Sequence, residues 1–235
     1  MSGQTQSEQR MERPDPAGAG LNYAAIERSL RAFQADIDRI NAVLGSHLEP
    51  VEDGVIANMI DGYRRIEAWV AEGLDPFSPG RSEHLLDLNA LVLCGPDPAA
   101  RAAHQGHLAA TRDRFYDPQG GGGIGPLVEW YKRNRGQEVW SLAAGLFLEI
   151  VHQPQLFIEG NHRTGVLLIN YLLLRDSRAP FVLTPDNALP FFTLAAGAGH
   201  QRPVRLALLL GGGPRADLAH FLADHARDCE RFRRQ

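Results

Sequence analysis

The chain is short of cysteine, of long apolar runs and of surplus positive charge, and each shortage removes a class of protein. Its 235 residues contain two cysteines, Cys94 and Cys229, far apart in sequence. That supply builds no disulfide framework and shows no metal-type spacing, and it suits a reducing cytoplasm. The longest apolar run, "VLLINYLLL", is about half of what a membrane span needs, so no membrane partner is expected. Lys and Arg (24) nearly balance Asp and Glu (28), for a net charge of −4. Without a basic excess there is no electrostatic case for nucleic acid as the main partner. The opening "MSGQTQSEQRMERPDPAGAG" lacks the apolar region of a secretory signal. Residues 1–20 are polar and rich in Pro, Gly and Gln, and are expected to be a disordered tail. Strand signals are weak throughout.

What the chain does have is helical periodicity. "LNYAAIERSLRAFQADIDRINAVLG" places Ile26, Leu30, Phe33, Ile37, Ile40 and Leu44 at steps of three and four, with Asn22 to cap its start and Gly45 to end it. "EDGVIANMIDGYRRIEAWVAEG" repeats the pattern and stops at Gly73; "SEHLLDLNALVLCG" runs from a Ser82 cap to Gly95. From Pro96 to about Gly123 the periodicity fails. Such a stretch is too long for a plain connector, and a short hairpin over residues 105–116 is one reading of it. Helical patterning resumes in "GPLVEWYKRN", "EVWSLAAGLFLEIVHQ", "NHRTGVLLINYLLLRDS", "PDNALPFFTLAAGAG", "PVRLALLLGGG" and "ADLAHFLADHARDCERFRR". The third of these is apolar on nearly every face and so belongs at the centre of the core. The expectation is an all-α fold of seven to nine helices. Residues 21–235 form one domain, large enough to bury roughly 70–75% of its unfolded surface without a staple.

The polar turn Glu159-Gly160-Asn161-His162-Arg163-Thr164 stands between two apolar helices. Amides of a helix's first turn have no intrahelical acceptor and sit at the positive end of its dipole, which makes an anion site. Gly160 allows close backbone approach, Asn161 adds an amide, and Arg163 adds a planar fork suited to phosphate oxygens. Glu159 supplies a hard oxygen for Mg²⁺ beside a bound polyphosphate. The same residues also read blandly, with Asn161 an N-cap, Gly160 a turn glycine, and Glu159 and Arg163 a surface ion pair.

"QLFIEGNHRTG" resembles the signature of Fic-domain proteins, H-P-F-x-[D/E]-G-N-[G/K]-R-x-x-R, with Phe157, Glu159, Gly160, Asn161 and Arg163 in matching positions. The resemblance covers about residues 50–210. It implies a Fic-like helical domain with a central helix after the turn and a short β-hairpin flap near residues 105–116, where a target protein would dock. It also implies transfer of AMP, or a related nucleotidyl group, from a nucleotide to a protein hydroxyl. Glu159 would then hold Mg²⁺, and Gly160, Asn161 and Arg163 the phosphates.

The signature is incomplete. Gln155 stands where the family has its catalytic His, Leu156 replaces Pro, and Val166 replaces the second Arg. A glutamine amide cannot take a proton from an attacking hydroxyl near neutral pH, although it can orient one. His162 and His152 are weaker substitutes. Glu72 and Gly73 resemble the end of the family's inhibitory helix, or simply end a helix. His104 and His107 lie three apart without a clear third ligand. Three functions stay open: a Fic-type transferase with altered catalysis, a catalytically silent nucleotide- or protein-binding module, and a helical interaction domain without a ligand.

Overall fold

The structure, a computed structural model, describes residues 20–44, 48, 51–117, 123–199 and 213–234. These residues are helical apart from turns, irregular connectors such as 178–184, and one isolated antiparallel bridge, Leu21 to Arg233. No helix among them is long and apolar enough to cross a membrane. The expected tail up to residue 19, the Gly45 helix end and the helix in "PVRLALLLGGG" lie outside the described residues.

The periodic stretches fold as their patterns dictate. Asn22 caps α1 (Tyr23–Ala35), its side-chain oxygen accepting from the Ala25 N–H at 3.1 Å. The single helix expected there is broken at Asp36, whose N–H turns back to the Phe33 carbonyl. α2 (Ile37–Val43) follows and buries Ile37 and Ile40. α3 (Asp53–Ala71) buries Ile56, Met59, Ile60, Tyr63, Ile66 and Trp69. α4 (Glu83–Cys94) ends at Gly95, in the left-handed region at φ +71°. Ser82 precedes α4 but makes no capping bond; its hydroxyl lies 3.1 Å from that of Tyr116 instead.

The aperiodic stretch is helical too, as α5 (Pro98–Ala103) and α6 (Gln105–Tyr116), so the hairpin expected over residues 105–116 is wrong. α6 buries Thr111 and Phe115, four residues apart. So narrow an apolar stripe leaves little periodic signal in the sequence. Helix-favouring Ala, Leu, Gln and Arg hold six of its ten remaining positions. α7 (Ile124–Asn134), α8 (Val139–Val151), α9 (Asn161–Arg175), α10 (Pro185–Gly199) and α11 (Pro214–Asp224) follow among the described residues, with a 3₁₀ turn at Glu230–Phe232. The count exceeds the expected nine because α5 and α6 add to it and the first stretch splits.

α9 is the centre. It packs on α8, α3 and α4, while α11 lies across α8 and α10. Leu167, Leu168, Ile169, Leu172 and Leu173 are at most 1% exposed. Burying these five side chains contributes on the order of 10 kcal/mol gross, comparable with the net stability of a whole domain. Two glycines set the helix spacing: a Cβ on Gly62 would come within 2.4 Å of Leu167, and one on Gly165 within 2.8 Å of Phe147. Inside this apolar layer Asn170 donates to the Val166 and Phe181 carbonyls (2.9 and 2.8 Å) and accepts from the Phe181 N–H (2.6 Å). It thereby pins the extended segment after α9. The two ends of the described chain also meet. The Asn22 N–H donates to the Phe232 carbonyl (2.8 Å) and the Arg234 N–H to the Gly20 carbonyl (2.6 Å), while the Leu21 N–H ties this junction to Glu67 of α3 (2.6 Å).

Candidate functional site

The loop between α8 and α9 is built around one side chain. Asn161 accepts from the Phe157 N–H (2.9 Å) and donates to the Phe157 carbonyl (2.9 Å) and to Oε1 of Gln155 (3.2 Å). Both amide hydrogens are therefore spent inside the loop, and what Asn161 offers a ligand is its backbone N–H. It is the first residue of α9 and not its cap; that position belongs to Gly160. Phe157 is fully buried and stacks on Phe115 of α6, ring centroids 5.7 Å apart. Arg114 of α6 donates to the Gln155 carbonyl at 2.9 Å. α6 thus holds the loop at two points.

Gly160 is left-handed at φ +75°. A Cβ there would stand 2.9 Å from Nδ2 of Asn89 and 3.3 Å from Leu93, so both the dihedral and the space call for glycine. Asn89, on α4, was not anticipated as a site residue. Its amide nitrogen donates to the Glu159 carbonyl (3.0 Å) and to the Thr164 hydroxyl (3.1 Å), fixing the turn from below. The signal was present: Asn89 is a lone polar residue on the Leu85, Leu88, Val92 stripe of α4. The first intrahelical bond of α9 runs from the Thr164 N–H to the Gly160 carbonyl (2.9 Å). The amides of Asn161, His162 and Arg163 precede it, at the positive end of the dipole.

The other expected residues separate into two groups. Gln155, His162, Arg163 and Val166 all border one half-open cavity of about 670 Å³, lined mainly by α1, α2, α3, α9 and α10. Its walls include Phe33, Ile37, Ile56, Met59 and Phe192. The Arg163 guanidinium donates to the Val92 carbonyl (3.3 Å) at its edge. His162 stands between Phe147 and Phe192, at 5.9 and 6.4 Å, with part of the residue reaching solvent. Burial against these rings pushes its imidazole pKa below the ordinary 6.5. Nε2 of Gln155 points at the Val151 carbonyl (3.4 Å).

Glu159 does not border the cavity. Its side chain is exposed and makes no hydrogen bond or ion pair among the described residues, including none with Arg163. His152 ends α8 and is exposed. Glu72 caps α3 through its own N–H. That end of α3 lies beside Tyr171, whose hydroxyl donates to the Leu74 carbonyl (3.0 Å), while Val166 shares the cavity with Met59 and Tyr63 nearer the start of α3. Glu72 is therefore a helix-end residue, remote from the turn. Among the described residues no three His, Cys, Asp or Glu side chains gather as a metal site, which leaves His104 and His107 without a third ligand.

No family model and no curated protein matches the chain. Among solved structures it is similar to a Fic domain containing signaling protein from Bacteroides thetaiotaomicron, at a TM-score of 0.43 and 12% identity, over 94% of this chain and 95% of that one.

Proposed function

We propose that the first turn of α9 seats the phosphate of an anionic ligand, and that the chain acts as a binding module in which nucleotidyl transfer is weakened or lost. The observation that carries this reading is the α9 start itself. Gly160 caps it without a side chain, so the amides of the first turn are not covered by a cap, and Arg163 in that turn borders the cavity. First-turn amides without a side-chain cap, beside a guanidinium, make an anion seat. The resemblance of this turn to the Fic signature supports a nucleotide with Mg²⁺ as that ligand. The Glu159 carboxylate, unpartnered among the described residues, fits a Mg²⁺ that takes one protein oxygen and completes its shell with phosphate oxygens and water. Mg²⁺ there would offset phosphate charge. The surface for a protein target would be α6, which touches the loop through Arg114 and Phe115.

Gln155 favours binding over transfer. Its amide has no proton affinity near pH 7, and its oxygen already accepts from Asn161. Loss of a general base alone costs on the order of 10²–10⁴ in rate. Thermal shift with ATP, GTP, CTP and UTP, each with Mg²⁺, tests the seat. A ligand at a hundredfold excess over Kd raises stability by about 2.7 kcal/mol. Labelled nucleotides then test transfer. The native chain is expected to bind without labelling any protein, and Gln155→His is expected to gain label incorporation. Labelling by the native chain would make it a transferase. An absence of any shift would remove the seat.

A further inference from the structure

We infer that the cavity behind the anion seat takes an amphiphile: one hydrocarbon chain carrying an anionic head, phosphate or carboxylate. The inference rests on the anion seat proposed at α9 and replaces the nucleoside as the body of its ligand. The lining is sharply divided. Its polar side chains Gln153, Gln155, His162 and Arg163 all belong to the loop before α9 and to that helix's first turn. Arg163 carries the permanent charge among them. Beyond this end the walls are Leu, Ile, Val, Met, Ala and Phe. The one hydroxyl among them, on Tyr63, is directed at the Phe181 carbonyl (3.3 Å).

A nucleoside in this space would bring ribose hydroxyls and base edges against walls that cannot pair them, which is costly. A hydrocarbon chain has no such groups, and each buried methylene adds to its affinity. Val166, one turn beyond Arg163 on the same helix, continues the apolar wall and offers no charge to a polyphosphate. The volume of about 670 Å³ is that of a small-molecule site and exceeds what a single head group fills.

Isothermal titration of the full chain with hexyl, octyl and decyl phosphate, below micelle formation, tests the proposal. Affinity is expected to climb about fourfold per methylene. Decanoate, in parallel, identifies the preferred head. Arg163→Gln is expected to weaken all three phosphates by about tenfold while leaving the chain-length slope intact. Val55→Asp, at a half-buried wall position on α3, is expected to flatten the slope, with circular dichroism confirming that both variants stay helical. A flat series, or ATP with Mg²⁺ binding tighter than decyl phosphate, overturns the inference. So does a steep series that Arg163→Gln leaves unchanged, because the head would then be unread. Inorganic tripolyphosphate separates the two readings: if it binds while the series is flat, the anion seat survives alone, and if neither binds, both fall.

Discussion

A carboxamide has two donors and two acceptor lone pairs, and at Asn161 both donors and one acceptor direction are engaged within the α8–α9 loop. The residue type was legible in the motif, but its job was not. A string cannot say whether an amide faces a ligand or folds back on the chain. Gly160 has a structural reason to be glycine, a left-handed dihedral and the close approach of Asn89 and Leu93, that a string shows only as a glycine at a turn. His162 carries a prediction at this scale. Partial desolvation beside Phe147 and Phe192 lowers its pKa although the residue keeps an exposed edge, so the folded state binds its proton more weakly than the unfolded chain does. Stability should therefore be full above the unfolded value of 6.5 and decline as pH falls below it, levelling once the folded histidine is protonated. Urea midpoints measured from pH 7.5 to pH 5 should show this decline, and it should be shallower in His162→Gln. Equal slopes would mean that the other histidines and carboxylates account for the whole pH dependence.

Among the elements, α6 was missed and the long apolar helices were not. α9 and α8 announce themselves because nearly every position is apolar, whereas α6 keeps Thr111 and Phe115 alone for the core. Its contacts are with residues distant in sequence: Glu83 through Arg112, the Gln155 carbonyl through Arg114, and Phe157 through Phe115. No local pattern encodes such partners. The Arg112–Glu83 pair is solvent-exposed and worth little. The packing of Phe115, at 0% exposure, decides whether α6 stays docked. Phe115→Ala is expected to cost about 3–5 kcal/mol of unfolding free energy in urea titration. Arg112→Ala should cost under about 1 kcal/mol. The reverse order would mean that α6 is held electrostatically.

For the molecule as a whole, the all-α fold could be read from periodicity, and the helix that became its centre could be named. The closeness of α3 and α8 to α9 depends on Gly62 and Gly165, which look unremarkable inside their helices until Leu167 and Phe147 are placed opposite them. Asn170 was equally silent in the sequence: a single polar residue in "VLLINYLLL" that ties three elements together. Asn170→Leu keeps the side chain's approximate size but orphans the Phe181 N–H, and is expected to destabilise the fold by about 1–3 kcal/mol. Calorimetry should show the loss as a lower Tm; an unchanged or raised value would mean that hydrocarbon serves this position as well as the amide.

Because Gly20 to Asn22 are laced to Phe232 to Arg234, tension applied along the polypeptide from both sides would reach these few bonds before it reached α9. Under load the chain should peel at α1 and the 3₁₀ turn first, while the buried centre remains slack.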